Sequence, residues 1–421
     1  MSNHDEKDLL TQALRERAAG VGGSSLDLES VRGRARGIKR RRTALRGAVA
    51  AMVATVAVPG GLAVNTALQG PGDDRPEDVI ATEAPSPTPG EDRELTGPTA
   101  LTLAGLPKGP APAIPYLTVD PADPERKLLV TPDGPVELDD ELGPVQAAVR
   151  SGDGWTVLAY PGPRVHRLDA DGQVVGTEQY AAGQQVAVAH DGSHLLYVLI
   201  DPTDDAQLVT AAPTTGSTEP VNWRLPARPS VTPVGFVDDD TVVFTTTDDR
   251  GSSVVYTASP GEEPQPLDSP LLGANAAGDG IVYGYTRVGE IEPSVCSGAV
   301  DAVSGELLWE NCDYSLPAGA LNPGGDLLLA HPGSTDGYGP LSVSVLDAAS
   351  GEPLVDYEQV DRRGQVTALT SGWESDRTFI TSVADGEDFA LVRYGAGGGS
   401  ELATDPIKGT PFEDMPFWLM Q

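Results

Sequence analysis

Residues 186–225 read VAVAHDGSHLLYVLIDPTDDAQLVTAAPTTGSTEPVNWRL. Four short apolar runs stand here, at 186–190, 195–200, 207–212 and 220–225. DGS at 191–193, a Pro- and Asp-containing loop, and TTGS at 214–217 separate them. Short runs of this kind, bounded by Gly, Asp, Ser and Pro, read as strands joined by tight turns. The unit is therefore strand, turn, strand, loop, strand, turn, strand.

The same unit recurs on either side. Turn glycines flanked by short apolar runs fall at Gly134, Gly172, Gly216, Gly261, Gly305, Gly351 and Gly398, spaced by 38, 44, 45, 44, 46 and 47 residues. A second turn stands between them, at Asp153-Gly154, Asp191-Gly192, Asp238–Asp240, Asp279-Gly280, Gly324-Gly325 and Ser375-Asp376. A fixed period of this size with strand patterning predicts an all-β chain folded as a β-propeller, one four-stranded blade per repeat. Seven blades are expected over 111–421, with six or eight as the alternatives. The first blade offers only three runs, 114–119, 127–131 and 136–138, and so lacks its innermost strand. The last stretch, PFEDMPFWL at 411–419, is left over after the seventh blade and is expected to supply it. Closure removes exposed sheet edges, and it takes Phe412, Phe417, Trp418 and Leu419 out of water.

Two of the turns carry more detail. Val300-Asp301-Ala302-Val303-Ser304-Gly305-Glu306-Leu307-Leu308-Trp309 and Leu346-Asp347-Ala348-Ala349-Ser350-Gly351-Glu352-Pro353-Leu354 resemble the D-A-x-[ST]-G-E-x-L-W turn of pyrroloquinoline-quinone-type propeller repeats. The resemblance implies the propeller fold, PQQ-like or WD-type in texture. It does not extend to a cofactor. Adjacent cysteines and a conspicuous tryptophan set would accompany quinone binding, and the chain has two separated cysteines and five Trp. No cofactor is expected.

Charge divides the 421 residues unevenly. Residues 1–46 carry 11 Lys/Arg against 6 Asp/Glu, and residues 47–421 carry 17 against 56, within a net charge of −34. So acidic a body repels nucleic acid and reads as a solubility feature. Between the halves lies GAVAAMVATVAVPGGLAV at 47–64, preceded by Lys39-Arg40-Arg41-Arg42 and Arg46. Eighteen helical residues span about 27 Å, near the thickness of a bilayer's hydrocarbon. Basic residues beside a span stay inside. The expected organisation is a cytoplasmic basic, partly helical arm (1–46), one transmembrane helix (47–68), a Pro- and acid-rich linker (69–110) and an extracellular propeller (111–421). A cleaved signal peptide is the rival reading. It is opposed by the long region upstream and the lack of a clean A-x-A site.

LLTQALRERA at 9–18, LDLESVRGRARGIKRRR at 26–42 and the weak span after them resemble a group of actinobacterial single-pass proteins, often encoded beside extracytoplasmic-function sigma factors. The resemblance implies an anti-sigma-like role, with a cytoplasmic sigma factor as partner of the arm. The zinc signature His-x-x-x-Cys-x-x-Cys is absent, since no Cys precedes Cys296.

Little else in the sequence points to chemistry. Cys296 and Cys312 flank one hairpin and are expected to form a disulfide, which suits an oxidising exterior. Free thiols or metal ligation are the alternatives. His190 and His194 bracket a turn and lack a third ligand. Asp169-Ala170-Asp171-Gly172 starts like a calcium loop, but Gln173 and Val174 break the pattern. Asp238–Asp240 and Asp248-Asp249 read as turn residues. No G-x-S-x-G, Walker loop or paired-carboxylate signature occurs at a meaningful spacing. No catalytic, cofactor or metal residue is therefore expected. The reading is a non-enzymatic, membrane-anchored propeller for binding, sensing or scaffolding, with an unknown protein or envelope ligand. The alternative is an extracellular propeller enzyme, hydrolytic or sugar-acting, with a site at the channel mouth.

Overall fold

The computed structural model describes Leu95 and residues 97–419, apart from 121–122, 140–141, 144, 161–162, 179–180, 190–191, 216–218, 227–229, 290–294, 334–339, 360–365 and 410–415. These residues belong to one compact unit, Thr82–Gln421. The arm, the apolar segment and the first part of the linker lie outside the described residues. No helix among the described residues is long and apolar enough to cross a membrane.

Seven sheets make up the ring, each built on four antiparallel strands, and two of them carry a fifth strand. Blade two shows the plan: Val145–Ser151 innermost, then Gly154–Ala159, Arg164–Leu168 and, outermost, Val174–Thr177. The residues quoted at the outset form blade three, as Ala181–Val188, His194–Ile200, Gln207–Pro213 and Val221–Leu225. Alternation puts one side chain in two against each neighbouring blade. Leu196, Val198, Val209 and Trp223 of blade three accordingly pack with Phe236, Val242 and Phe244 of blade four.

Blade one is closed by the C-terminus. Phe417–Leu419 pairs antiparallel with Tyr116–Asp120, placing Tyr116 opposite Leu419 and Thr118 opposite Phe417. Phe417 and Leu419 are buried and Trp418 faces outward, so the strand is held by alternate side chains as well as by its ladder.

The turn that precedes each outermost strand explains the glycine period. In blade six, Asp347 accepts hydrogen bonds from the Ser350 N–H and hydroxyl, and Gly351 follows at φ 68°. Trp309 of blade five docks on that turn. Its Nε1–H donates to the Ala348 carbonyl at 2.9 Å, and Asn311 donates to the Gly351 carbonyl at 2.8 Å. A Cβ on Gly351 would stand 2.5 Å from Trp309 Cε3. Glycine is required there twice, by its φ and by the indole lying against it.

Part of the stretch that composition assigns to a linker is built into the ring. Ala100–Leu101 adds a parallel fifth strand to the outer edge of blade six, beside Pro353–Gln359. Leu101, Leu103 and Leu106 enter the core with Tyr357 and Tyr394. The chain then runs along Ser400–Leu402 of blade seven, where Leu402 N–H donates to Pro107 and Gly109 N–H to Leu402. At the seam Arg393, 2% exposed, donates to the carbonyls of Pro110 and Ala111. It also pairs with Glu374 and Glu401, whose side chains are 0% and 7% exposed. The Ala113 N–H completes the network by donating to Glu374. The acids and prolines of residues 69–98 mask three spaced leucines just beyond them, which is why composition alone extends the linker over this strap.

Candidate functional site

The concave site lies where blades one, two and three meet. Ala148, Val149 and Arg150 come from the innermost strand of blade two, and Val188 ends the innermost strand of blade three. Pro132 and Asp133 form the turn before the outermost strand of blade one, while Ala113 and Pro115 lead into its first strand. The cavity has a volume of about 360 Å3 and lies between these blades.

Its polar groups are few. Arg150 and Trp155 are cross-strand partners in the hairpin RSGDGW (150–155), and the guanidinium lies 5.1 Å from the centroid of the indole. Stacking of this kind favours a cation over a π face. Asp133 sits 3.8 Å from Arg150, an open ion pair with both side chains largely in solvent. Trp155 itself is buried, at 3% exposure, within a cluster that includes Leu117, Leu129 and Leu168. Its Nε1–H, itself enclosed, has no hydrogen-bond partner among the described residues, which is costly for a buried donor.

That indole stands apart from its counterparts. Trp223 donates to the Ser259 carbonyl, Trp309 to Ala348 and Trp373 to Ala320. In each case an adjacent blade supplies the acceptor. Trp155 is buried like Trp223, whereas Trp309 and Trp373 are partly buried, and it stands among the residues lining the cavity.

The residues singled out from the sequence have other places. Cys296 and Cys312 form a disulfide between adjacent strands of blade five. With Glu310 they are a group close enough to hold a metal, but each sulfur is bonded to the other and neither is a thiolate. His190 lies outside the described residues. His194 bonds through Nδ1 to Ser193 Oγ at 2.8 Å and packs against Phe236. Asp169 accepts from the N–H groups of Asp171 and Gln173, Asp238 from Asp240 and Thr241, and Asp248 from Arg250 and Ser252. All three are turn residues. In blade six Ser344 and Tyr314 both donate to Asp356. His331 instead has its Nδ1 at 3.4 Å from the Ser342 carbonyl, so these groups do not form a serine–histidine–acid relay. Asp133, Arg150 and Trp155 escaped notice because no linear motif joins them. The one available signal was the Arg-to-Trp pairing across the Gly152–Gly154 turn.

No family model matches the chain, and no curated protein matches it. Among solved structures it is similar to a post-proline cleaving enzyme from Rickettsia typhi, with TM-score 0.47 and 9% identity over 70% of this chain and 52% of that one. It is also similar to prolyl oligopeptidase B from Galerina marginata, with TM-score 0.46 and 11% identity over 69% and 48% of the two chains. A third is a puromycin hydrolase, with TM-score 0.44 and 14% identity over 76% and 58%. The chain spans about half the length of these neighbours. Such likeness speaks for the fold alone.

By their names these neighbours are peptidases and a hydrolase. Against that finding the expectation of a non-enzymatic sensing or scaffold module, and with it the expectation that the chain is not an enzyme, gives way to the alternative of a propeller enzyme. The physical fault in that expectation is plain. It rested on missing linear motifs, whereas a propeller assembles its sites from separate blades: Asp133, Arg150 and Val188 come from three.

Proposed function

We propose that the chain is a propeller enzyme of the hydrolase type that holds a peptide-like substrate at the rim pocket between blades one, two and three. The observation that carries this reading is a guanidinium at an otherwise apolar cavity: the half-exposed Arg150 makes no hydrogen bond among the described residues and has the open pair with Asp133. A ligand that brings carbonyl acceptors and apolar side chains matches it. A small volume with apolar walls and a few convergent polar groups is the usual make-up of a small-molecule site. In this reading Arg150 binds, the Trp155 ring positions the guanidinium, and Asp133 steadies it.

The test is turnover of a panel of chromogenic peptide anilides and esters by the full chain. We expect hydrolysis whose kcat/KM falls at least about tenfold in Arg150→Gln, the scale of a lost hydrogen bond to a charged group, with an unchanged Tm. No turnover across the panel overturns the enzyme reading. Turnover indifferent to both Arg150→Gln and a pocket-filling Val149→Phe overturns the location.

The proposal places this pocket outside the cell membrane, on the support of the basic residues 39–46 and the apolar segment that follows them. Protection of residues 1–46 from protease in intact cells, with the propeller accessible, is the expected result. Loss of both regions together would remove the topology.

A further inference from the structure

We propose that Glu374 and Arg393 of blade seven are positioning residues for the pocket between blades one, two and three, setting the wall formed by Ala113 and Pro115. This rests on the reading of the pocket as a substrate site and names what holds one side of it in place. The wall belongs to the run PAPAIP at 110–115, between the strap and the strand Tyr116–Asp120. Its three prolines lack the N–H that a sheet ladder needs. The run forms no strand, so its remaining backbone groups need other partners.

Blade seven supplies them. Glu374 Oε1 accepts the Ala113 N–H at 2.5 Å and an Arg393 Nη2–H at 2.8 Å. Arg393 donates to the Pro110 carbonyl at 3.1 Å and to the Ala111 carbonyl at 3.0 Å. Its bonds to Glu374 and Glu401 take the remaining N–H groups, so the whole guanidinium fork is used. The run is thus gripped at Pro110, Ala111 and Ala113, by carbonyls and an N–H, just where it begins to line the cavity. Neither Glu374 nor Arg393 lines the cavity itself. Both side chains are enclosed, where a low local dielectric strengthens each bond. Glu401 is the useful contrast. It pairs with the same guanidinium but lies against Gly109, upstream of the wall.

The experiment compares full-chain variants that each remove one carboxylate from Arg393. Glu374→Ala also takes the acceptor from the Ala113 N–H, whereas Glu401→Ala does not. With the chromogenic peptide anilides, Glu374→Ala should raise KM about tenfold at unchanged kcat, the scale of a lost hydrogen bond to a charged group. Glu401→Ala should leave both constants near those of the wild type. Glu374→Gln keeps an acceptor oxygen and should recover most of the loss. Arg393→Lys keeps the charge but not the fork that reaches two carbonyls, and is the milder variant should Glu374→Ala not fold. A second readout needs no turnover. Both native cysteines are in the disulfide, so Val149→Cys puts a single free thiol in the pocket. Its alkylation by N-ethylmaleimide should quicken several-fold with Glu374→Ala or Arg393→Lys, and not with Glu401→Ala. Alkylation unmoved by the first two in the folded protein, or moved equally by Glu401→Ala, overturns the positioning role and leaves the substrate pocket standing. Alkylation that separates the variants while KM does not, or while no peptide turns over, supports the positioned wall and overturns the substrate reading.

Discussion

Arg393 and Arg150 sit in the same ring and lead opposite lives. At the seam where residues 110–113 meet blade seven, Arg393 is enclosed, with Glu374, Glu401 and two backbone carbonyls around it. At the rim pocket Arg150 is half exposed, stacked on an indole, and faces a carboxylate it does not hydrogen-bond. The tryptophans repeat the contrast. Trp309 gives its N–H to the next blade, whereas the Trp155 N–H has no partner among the described residues. Around Arg393 the guanidinium and both carboxylates are matched, and they hold the ring together. At the pocket the Arg150 guanidinium makes no hydrogen bond among the described residues and is open to a ligand.

The contrast breaks most sharply at Arg393. Replacing it by Met strands two buried carboxylates, and removing one partner of such a network costs about 3–5 kcal/mol. Urea unfolding should show that loss. The same change at Arg150 should stay within about 0.5 kcal/mol, as for other exposed sites. Equal effects would erase the distinction between seam and pocket.

Next in size is the covalent tie in blade five. A Cys296→Ser, Cys312→Ser double variant should lose about 3 kcal/mol, the chain-entropy scale for a loop of this length. Its rim-pocket affinity should be unchanged, because the disulfide contributes nothing to that lining. A change in affinity would show that the pocket depends on the far side of the ring.

Trp309→Phe should cost about 1–3 kcal/mol, since it leaves the Ala348 carbonyl without its donor. Trp155→Phe removes a donor that has no partner, and its thermal midpoint should fall by less. If the two variants unfold alike, the Trp155 N–H has an acceptor after all.

The smallest effect concerns pH. Burial holds the His331 imidazole below its ordinary value, against a smaller upward pull from the Ser342 carbonyl. The unfolded chain therefore binds that proton more readily than the folded one. Stability is fully present above about pH 6.5 and is shed as the pH falls through the lowered folded value. His331→Gln should flatten this part of the acid-side decline in a series of unfolding curves. An unchanged slope below pH 6.5 would assign the decline to other groups.

The ring was legible in the chain because its determinants are local. A turn before each outermost strand needs a residue at positive φ, as at Gly305 and Gly351, and alternating apolar runs between turns can only be strands. Even the closing strand 417–419 was legible, since Phe417 and Leu419 need burial and blade one needs a strand. The strap at 97–113 was not, because its three leucines become informative only once blades six and seven exist to receive them. The site was legible least of all. Asp133, Arg150 and Trp155 are unremarkable one by one, and the missing partner of an indole N–H is a property of what surrounds it. Sequence alone determined the repeat, and it pointed to seven blades, the closure and the Cys296–Cys312 pairing, because each follows from spacing along the chain. Tertiary structure alone decided which arginine is enclosed and which tryptophan lacks an acceptor, because hydrogen-bond satisfaction depends on neighbours that distant blades bring together.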